Sequence, residues 1–161
     1  NNYDSRLPAV KDVPLVRENR LYQADWLLRF YGFKVDEIVD DQFPNLDLEI
    51  DPKLSWALRH PEFFPVDINR ADYNMLLRVP GIGVKSAKLI VVSRGYTRLS
   101  SFDLKKIGVV MKKAQYFITC NELNAKTVSD TSPAYVKSIL TGKKQDKKNT
   151  DLQQMTLIFP E

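Results

Sequence analysis

The sequence predicts a mainly α-helical fold, and three observations lead to that prediction. Apolar residues recur at helical spacing in several segments, residues typical of helix caps and helix ends flank those segments, and the alternation typical of strands is weak and confined to residues 43–50. Hydrophobic residues make up 43% of the 161 residues and charged residues 27%, which is the composition of a chain that folds around a core. The length suits one ordinary domain with appendages.

Two helices are predicted in the first third of the chain. One covers residues 18–31, where apolar residues share a face and Gly32 follows as a stop. The other has Asp51 as its cap and Pro52 in its first turn, and it must end before Pro61. The weakly alternating stretch between them is a candidate for extended chain.

Two further helices are predicted after these. Asn69 is the expected cap of a helix over residues 70–78, with Asp72 in the first turn, where its charge complements the helix dipole. Residues 133–140 form a short helix that Gly142 stops. The chain beyond is rich in lysine and predicts a flexible tail that ends in an apolar peptide.

The composition excludes several classes of site. Cys120 is the only cysteine and His60 the only histidine, so the chain has no disulfide framework, no zinc finger and no cysteine-ligated iron–sulfur cluster of its own. No metal site is therefore predicted. No stretch approaches the roughly 20 apolar residues that span a bilayer, which predicts a cytoplasmic protein without a membrane partner.

Positive charge is concentrated in the middle of the chain. Residues 61–120 carry ten Lys and Arg against four Asp and Glu, a net charge of +6, whereas the whole chain has +4. This asymmetry is typical of a face that binds a polyanion, although a solvated helical surface gives the same pattern.

The most informative motif is the run LLRVPGIGVKSAKLIV over residues 76–91, which matches the helix-hairpin-helix pattern. In that pattern an apolar helix ends in a Pro-Gly-apolar-Gly turn and a second helix begins at once. Gly81 and Gly83 permit the backbone angles of a tight turn and a close approach to a ligand. Ile82 is expected to anchor the turn in the core, and Ala87 is small enough for the two helices to cross at short range.

This motif predicts binding to the DNA backbone. The turn delivers free N–H groups at the N-terminus of the second helix, where the dipole also favours an anion such as phosphate. Lys85 and Lys88 add cations and Ser86 adds a donor. Contacts to phosphate carry no sequence information, so double-stranded DNA is the expected partner, bound without sequence preference. The primary candidates for DNA contacts are Gly81, Ile82, Gly83, Lys85, Ser86 and Lys88.

A degenerate copy of the motif follows 27 residues later. Residues 104–117 align with the first copy so that Gly108 falls on Gly81, while Val110 replaces the second glycine. Two such hairpins related by a pseudo-twofold axis could contact both DNA strands across the minor groove, although a plain amphipathic helix with outward lysines also fits the second copy. The secondary candidates for DNA contacts are Gly108, Lys112 and Lys113.

The chain is therefore predicted to have three parts. Residues 1–68 form an N-terminal helical extension, residues 69–120 a tandem helix-hairpin-helix unit, and residues 121–161 a polar tail with one short helix and a terminal apolar peptide. A monovalent cation bound by the turn carbonyls is common in such hairpins, but no residue here demands one.

Several longer runs resemble a known protein family. The runs are RENRLYQADWLLRFYGF at 17–33, LRHPEFFP at 58–65, NRADY at 69–73, the hairpin, and YFITC at 116–120. They resemble the C-terminal region of the putative DNA modification/repair radical SAM proteins, over about residues 14 to 120.

This resemblance implies a DNA-recognition region that serves a separate catalytic domain. In that family a radical SAM barrel precedes this region and holds an iron–sulfur cluster through a Cys-x-x-x-Cys-x-x-Cys motif. The motif does not occur here. Neither the cluster nor S-adenosylmethionine is therefore assigned to any residue of this chain, and the chain by itself is not predicted to be an enzyme.

A catalytic alternative is a helix-hairpin-helix DNA glycosylase or lyase. Enzymes of the endonuclease III type carry a lysine nucleophile in the turn-to-helix segment and an aspartate downstream, and Lys85 and Asp103 stand at comparable places. Against this reading, Asp103 lies in a sequence typical of a capped first turn, and the cluster cysteines of that family are missing.

A third reading concerns a protein partner. The terminal peptide resembles the hexapeptide with which bacterial replication and repair proteins bind the sliding clamp, with Gln154, Leu157 and Phe159 at the matching positions. The rival interpretation is an edge strand or helix that docks on this same domain.

The first helix also carries two aromatic residues one turn apart, Tyr22 and Trp26. They are candidates for the interface with a catalytic domain or its substrate, but a structural position in the core or at an interface is the commoner role of aromatic residues and is the prediction here. Asp25 and Arg29 are expected to pair on the helix surface, and Cys120 to be buried and inert.

Overall fold

The computed structural model describes residues 15–121 and 132–142, and the described part is mainly helical. One two-stranded sheet accompanies the helices. In chain order the elements are α1 (Leu15–Phe30), α2 (Val35–Ile38), α3 (Pro52–Arg59), a 3-10 turn (Pro61–Phe63), β1 (Val66–Asp67), α4 (Tyr73–Arg78), α5 (Val84–Ser93), α6 (Ser101–Ile107), α7 (Met111–Ala114), β2 (Ile118–Thr119) and α8 (Pro133–Thr141).

Three predicted helices are confirmed together with their end signals. Gly32 follows α1 with a φ of 68°, and Gly142 follows α8 with a φ of 72°. Both glycines adopt the left-handed conformation that ends helices. The side chain of Asp51 caps α3 by accepting a hydrogen bond from the backbone N–H of Leu54 at 2.9 Å.

The predicted cap at Asn69 is wrong. The helix begins later, as α4, and its cap is Asp72, whose side chain accepts from the N–H of Met75 at 2.8 Å. The amide of Asn69 instead donates to the carbonyl of Leu99 at 3.2 Å and accepts from its N–H at 2.8 Å. A backbone partner 30 residues away therefore occupies the side chain that local sequence assigns to a cap.

The extended segment expected at residues 43–50 is not a strand. The side chains of Asp40 and Asp47 accept backbone N–H groups two and three residues ahead and turn the chain there. Pairing occurs elsewhere, between β1 and β2, which run parallel with Val66 opposite Ile118. Strands of two residues are too short for their alternation to be read from sequence.

Within the described residues, one cluster of buried apolar side chains joins the predicted parts of the chain. It extends from Leu27 in α1 through Trp56 in α3, Leu76 in α4 and Ile90 in α5 to Val136 in α8. The segments on both sides of residues 69–120 thus share one core with that central region. This core fixes α1 and α3 beside the turn that joins α4 to α5.

Candidate functional site

The turn between α4 and α5, residues 79–83, is called the first turn. It is closed by a hydrogen bond from the N–H of Ile82 to the carbonyl of Val79 at 3.2 Å, and Ile82 is buried as predicted. Gly81 has a φ of +89°, which favours glycine. A Cβ at Gly81 would lie 2.6 Å from the carbonyl oxygen of Val110, so close packing against the second copy also requires glycine there.

Gly83 has a different role from Gly81. Its φ of −91° and ψ of 170° are extended backbone that any residue adopts, and it is the N-cap of α5. Because glycine has no side chain to cap the helix, the N–H groups of residues 83–86 have neither an intrahelical acceptor nor a side-chain cap from the N-cap residue. The N–H of Val84 instead donates to the phenol oxygen of Tyr31, which leaves those of Gly83, Lys85 and Ser86. This end of a ten-residue helix therefore presents donors and the positive end of its dipole.

The predicted cations lie near these donors, but the serine does not face solvent. Lys85 and Lys88 are exposed on α5. Ser86 is buried, and its hydroxyl lies 3.4 Å from the carbonyl oxygen of Ile107, to which it donates. Only the backbone N–H of Ser86 therefore remains for an anion, and the side chain links the two copies of the motif.

The second turn, residues 108–110, lies against the first. Gly108 has a φ of +93°, close to that of its counterpart Gly81, and the N–H of Val110 donates to the carbonyl of Gly81 at 2.9 Å. Ala114 is fully buried beside Gly81. The φ of Val110 is −77°, so the position that is Gly83 in the first copy accepts a side chain here without strain.

The two lysines of the second copy differ in their surroundings. Lys112 is exposed, whereas the ammonium of Lys113 lies 2.6 Å from a carboxylate oxygen of Asp51. The same carboxyl group caps α3 through its other oxygen. Of these two candidates, Lys112 thus presents the more accessible charge.

Lys53, which no sequence pattern singled out, is buried against the first turn. It is 8% exposed, and its ammonium donates to the carbonyl oxygen of Ile82 at 2.6 Å. The same ammonium lies 4.6 Å from the centre of the Tyr31 ring. Ile82 contributes one of the turn carbonyls that a monovalent cation would bind, and here that carbonyl has a cationic partner from the chain itself.

Burial lowers the pKa of Lys53 to about 7, with Asp51 raising it and Lys113 lowering it further. The phenol of Tyr31 shifts the other way: burial raises its pKa, against the opposing effect of the nearby backbone N–H of Val84. The first turn therefore rests on a lysine and a tyrosine whose neutral forms are both favoured by burial.

A Lys53→Met variant is expected to remove a pH dependence of stability. The folded pKa of about 7 lies below the usual 10.5, so the unfolded chain binds more protons between these values and the free energy of unfolding rises with pH. From pH 7 to pH 9 the parent should gain about 2 kcal/mol relative to the variant. Urea unfolding of both proteins across this range measures the difference. Parallel curves would show that Lys53 stays charged in the folded protein at pH 9.

An open cavity of about 530 Å³ lies beside the first turn. Its walls come from α1, the start of α3, the first turn, and the Val110 and Lys113 side of the second copy. Tyr22 and Trp26 line it, with 66% and 55% of their surfaces exposed. Neither residue is therefore buried in the core, which is one of the two structural positions predicted for them, because their face of α1 looks onto this cavity.

The catalytic alternative gains no support from the geometry. Asp103 forms a capping box with Ser100, whose N–H and hydroxyl donate to one carboxylate oxygen at 2.9 Å and 2.7 Å. These hydrogen bonds lower the pKa of Asp103. Within residues 15–121 and 132–142, no hydrogen bond or ion pair joins Asp103 to Lys85.

Four further predictions concern a surface ion pair, a cysteine, a terminal peptide and a metal site. Asp25 and Arg29 form the expected surface pair at 2.9 Å, and Cys120 is half-buried rather than fully buried. The candidate clamp-binding residues Gln154, Leu157 and Phe159 lie outside the described residues. In the described part of the chain, no group of three or more His, Cys, Asp or Glu side chains is placed to hold a metal ion. No described helix has the length and apolar character needed to cross a bilayer.

Comparison with protein-family models, with curated proteins and with solved structures returns no match for this chain. A functional assignment therefore depends on the residues and their geometry.

Proposed function

We propose that this chain binds double-stranded DNA through backbone phosphates, without sequence preference, as the DNA-recognition part of a DNA modification or repair protein. The observation that carries the proposal is the N-terminus of α5. There, a glycine N-cap leaves the N–H groups of Gly83, Lys85 and Ser86 without a side-chain cap, and Lys85 and Lys88 are exposed beside them.

Two further features support the same reading. Gly81 and Gly108 share a positive φ, and a backbone hydrogen bond joins the two turns, which favours two paired copies of the motif. Most of the basic residues in the central region are exposed, namely Arg70, Lys85, Lys88, Arg98, Lys105, Lys106 and Lys112. An exposed surface with this excess of positive charge favours a polyanion.

Residues 14 to 120 resemble the C-terminal region of the putative DNA modification/repair radical SAM proteins, and this resemblance extends the proposal to the whole protein. On that basis the chain places a separate radical SAM domain on DNA in the cytoplasm. The iron–sulfur cluster and S-adenosylmethionine would belong to that domain and not to residues of this chain. Binding to the sliding clamp through the terminal peptide stays a prediction.

The salt dependence of binding to a labelled duplex tests the proposal. The logarithm of the association constant should fall linearly with the logarithm of salt concentration, with a slope of about −0.9 for each neutralised phosphate. Replacing both Lys85 and Lys88 by Ala should make the slope less negative by about 1 for each lysine that contacts phosphate. Fluorescence anisotropy measures both quantities.

Arg17→Ala is the matched control, because Arg17 is an exposed cation on α1 at a different cavity from the one beside the first turn. It should leave the slope of the parent unchanged. No binding by the folded parent at low salt would contradict the proposal.

A further inference from the structure

The cavity beside the first turn carries an aromatic surface that the core does not use. Tyr22 and Trp26 are one helical turn apart on the same face of α1, and both line the cavity. Trp26 packs against Phe30, with ring centres 4.3 Å apart, yet more than half of its surface is exposed. Exposed aromatic side chains that are held in position offer flat faces for stacking.

The same cavity borders the proposed phosphate site. Gly81, Ile82 and Gly83 form one of its walls, and Gly83 is also the N-cap whose helix end presents the N–H donors. A nucleotide with its phosphate at this helix end would therefore have its own base next to the cavity. The volume of about 530 Å³ falls within the usual range of small-molecule sites, roughly 300–1,000 Å³.

The chemistry of the lining suits a base better than a purely apolar ligand. Tyr22 and Trp26 supply stacking faces, and every nucleobase has a π-face, so stacking tolerates any sequence. Gln23, Asp51 and Lys113 make part of the walls polar, with Asp51 and Lys113 paired to each other at 2.6 Å. A base inside a duplex cannot reach such a surface, because it is already stacked between its neighbours.

We propose that this cavity receives one unpaired nucleobase from a DNA strand whose phosphate is bound by the first turn. The inference rests on the proposed function and adds the class of substrate, which is DNA with a base displaced from the stack. It gives Trp26 the role of stacking platform and explains why its face of α1 is left open.

Three labelled duplexes test this inference by fluorescence anisotropy. One is fully paired, one carries a single bulged nucleotide, and one carries the same bulge without its base. The parent should bind the bulged duplex about tenfold more tightly than the paired one, which corresponds to about 1.4 kcal/mol. The baseless bulge should bind like the paired duplex, because it keeps the bend and the phosphates but has nothing to stack.

Trp26→Ala should abolish the preference for the bulged duplex and leave the affinity for the paired duplex unchanged. The exposure of Trp26 makes the variant compatible with folding, which thermal melts monitored by circular dichroism verify. Tyr96→Ala is the matched control, since Tyr96 is 88% exposed beyond the C-terminal end of α5 and does not line the cavity. It should keep the full preference.

The outcomes separate this inference from the function on which it rests. Equal affinity of the parent for all three duplexes would overturn the base-binding inference and leave backbone binding intact. If Trp26→Ala lost the same affinity for all three duplexes, the inference would also be overturned, because the Trp26 side chain would then contact the DNA backbone and not a base. Failure of the folded parent to bind any duplex would overturn both.

Discussion

Gly83→Asp is expected to weaken duplex binding at least about a hundredfold while the protein stays folded. The backbone angles at Gly83 are allowed for any residue, and a Cβ there would meet only the Tyr31 hydroxyl, at 3.7 Å. Aspartate is a favoured N-cap residue, so its carboxylate should accept the N–H groups of α5 that phosphate would otherwise bind. The added negative charge also repels phosphate, and like charges brought together at an interface cost several kcal/mol.

The measurement is an anisotropy titration at low salt, paired with a thermal melt. The melting temperature of Gly83→Asp should equal or exceed that of the parent, because the new carboxylate caps α5. Asn74→Asp is the matched control, as it adds the same charge at an exposed position in the first turn of α4. Parent-like binding by a folded Gly83→Asp protein would remove the N-terminus of α5 from the DNA site.

The sequence motif alone assigns Gly81 and Gly83 the same role. It could not predict that a substitution at Gly83 changes binding without reducing stability. The motif correctly predicts a turn with Ile82 buried, because hydrophobicity and helix-end signals are local. It does not show that only Gly81 adopts a positive φ, nor that Val110 lies against Gly81. That contact joins residues 29 positions apart and exists only once the two copies pack together.

The residues that line the cavity could not be predicted from the sequence either. Lys53 follows the helix cap in a position where lysine usually faces solvent, and nothing local indicates that its ammonium reaches the carbonyl of Ile82. Trp26 shows the opposite difference, since an aromatic residue expected to be covered is exposed. An aromatic residue in an amphipathic helix is normally assigned to the core, but Leu27 next to it is the residue of α1 that is buried. Both errors arise because the position of α1 over the first turn is a tertiary property.

Gly81→Ala is expected to destabilise the fold by about 3 kcal/mol or more. A residue with a Cβ at a φ of +89° loses about 1–2 kcal/mol from backbone strain alone. The new methyl group would also lie 2.6 Å from the Val110 carbonyl oxygen and 3.2 Å from the backbone nitrogen of Ala114. Backbone atoms cannot give way as a flexible side chain does, so the turns must separate and weaken the 2.9 Å hydrogen bond from Val110 to Gly81. Urea unfolding followed by circular dichroism measures the loss.

Gly108→Ala supplies the matched control, because it introduces the backbone strain of a positive φ without a close contact to the other turn. Gly108 has nearly the same φ, +93°, but a Cβ there would meet only the hydroxyl of Ser86 at 3.8 Å, an ordinary contact. Its loss of stability should therefore stay near the strain alone, about 1–2 kcal/mol. If both variants lost the same free energy of unfolding, the two turns could move apart without a loss of stability. In that case the two copies of the motif would be independent helical pairs. The two turns would then not form one rigid surface.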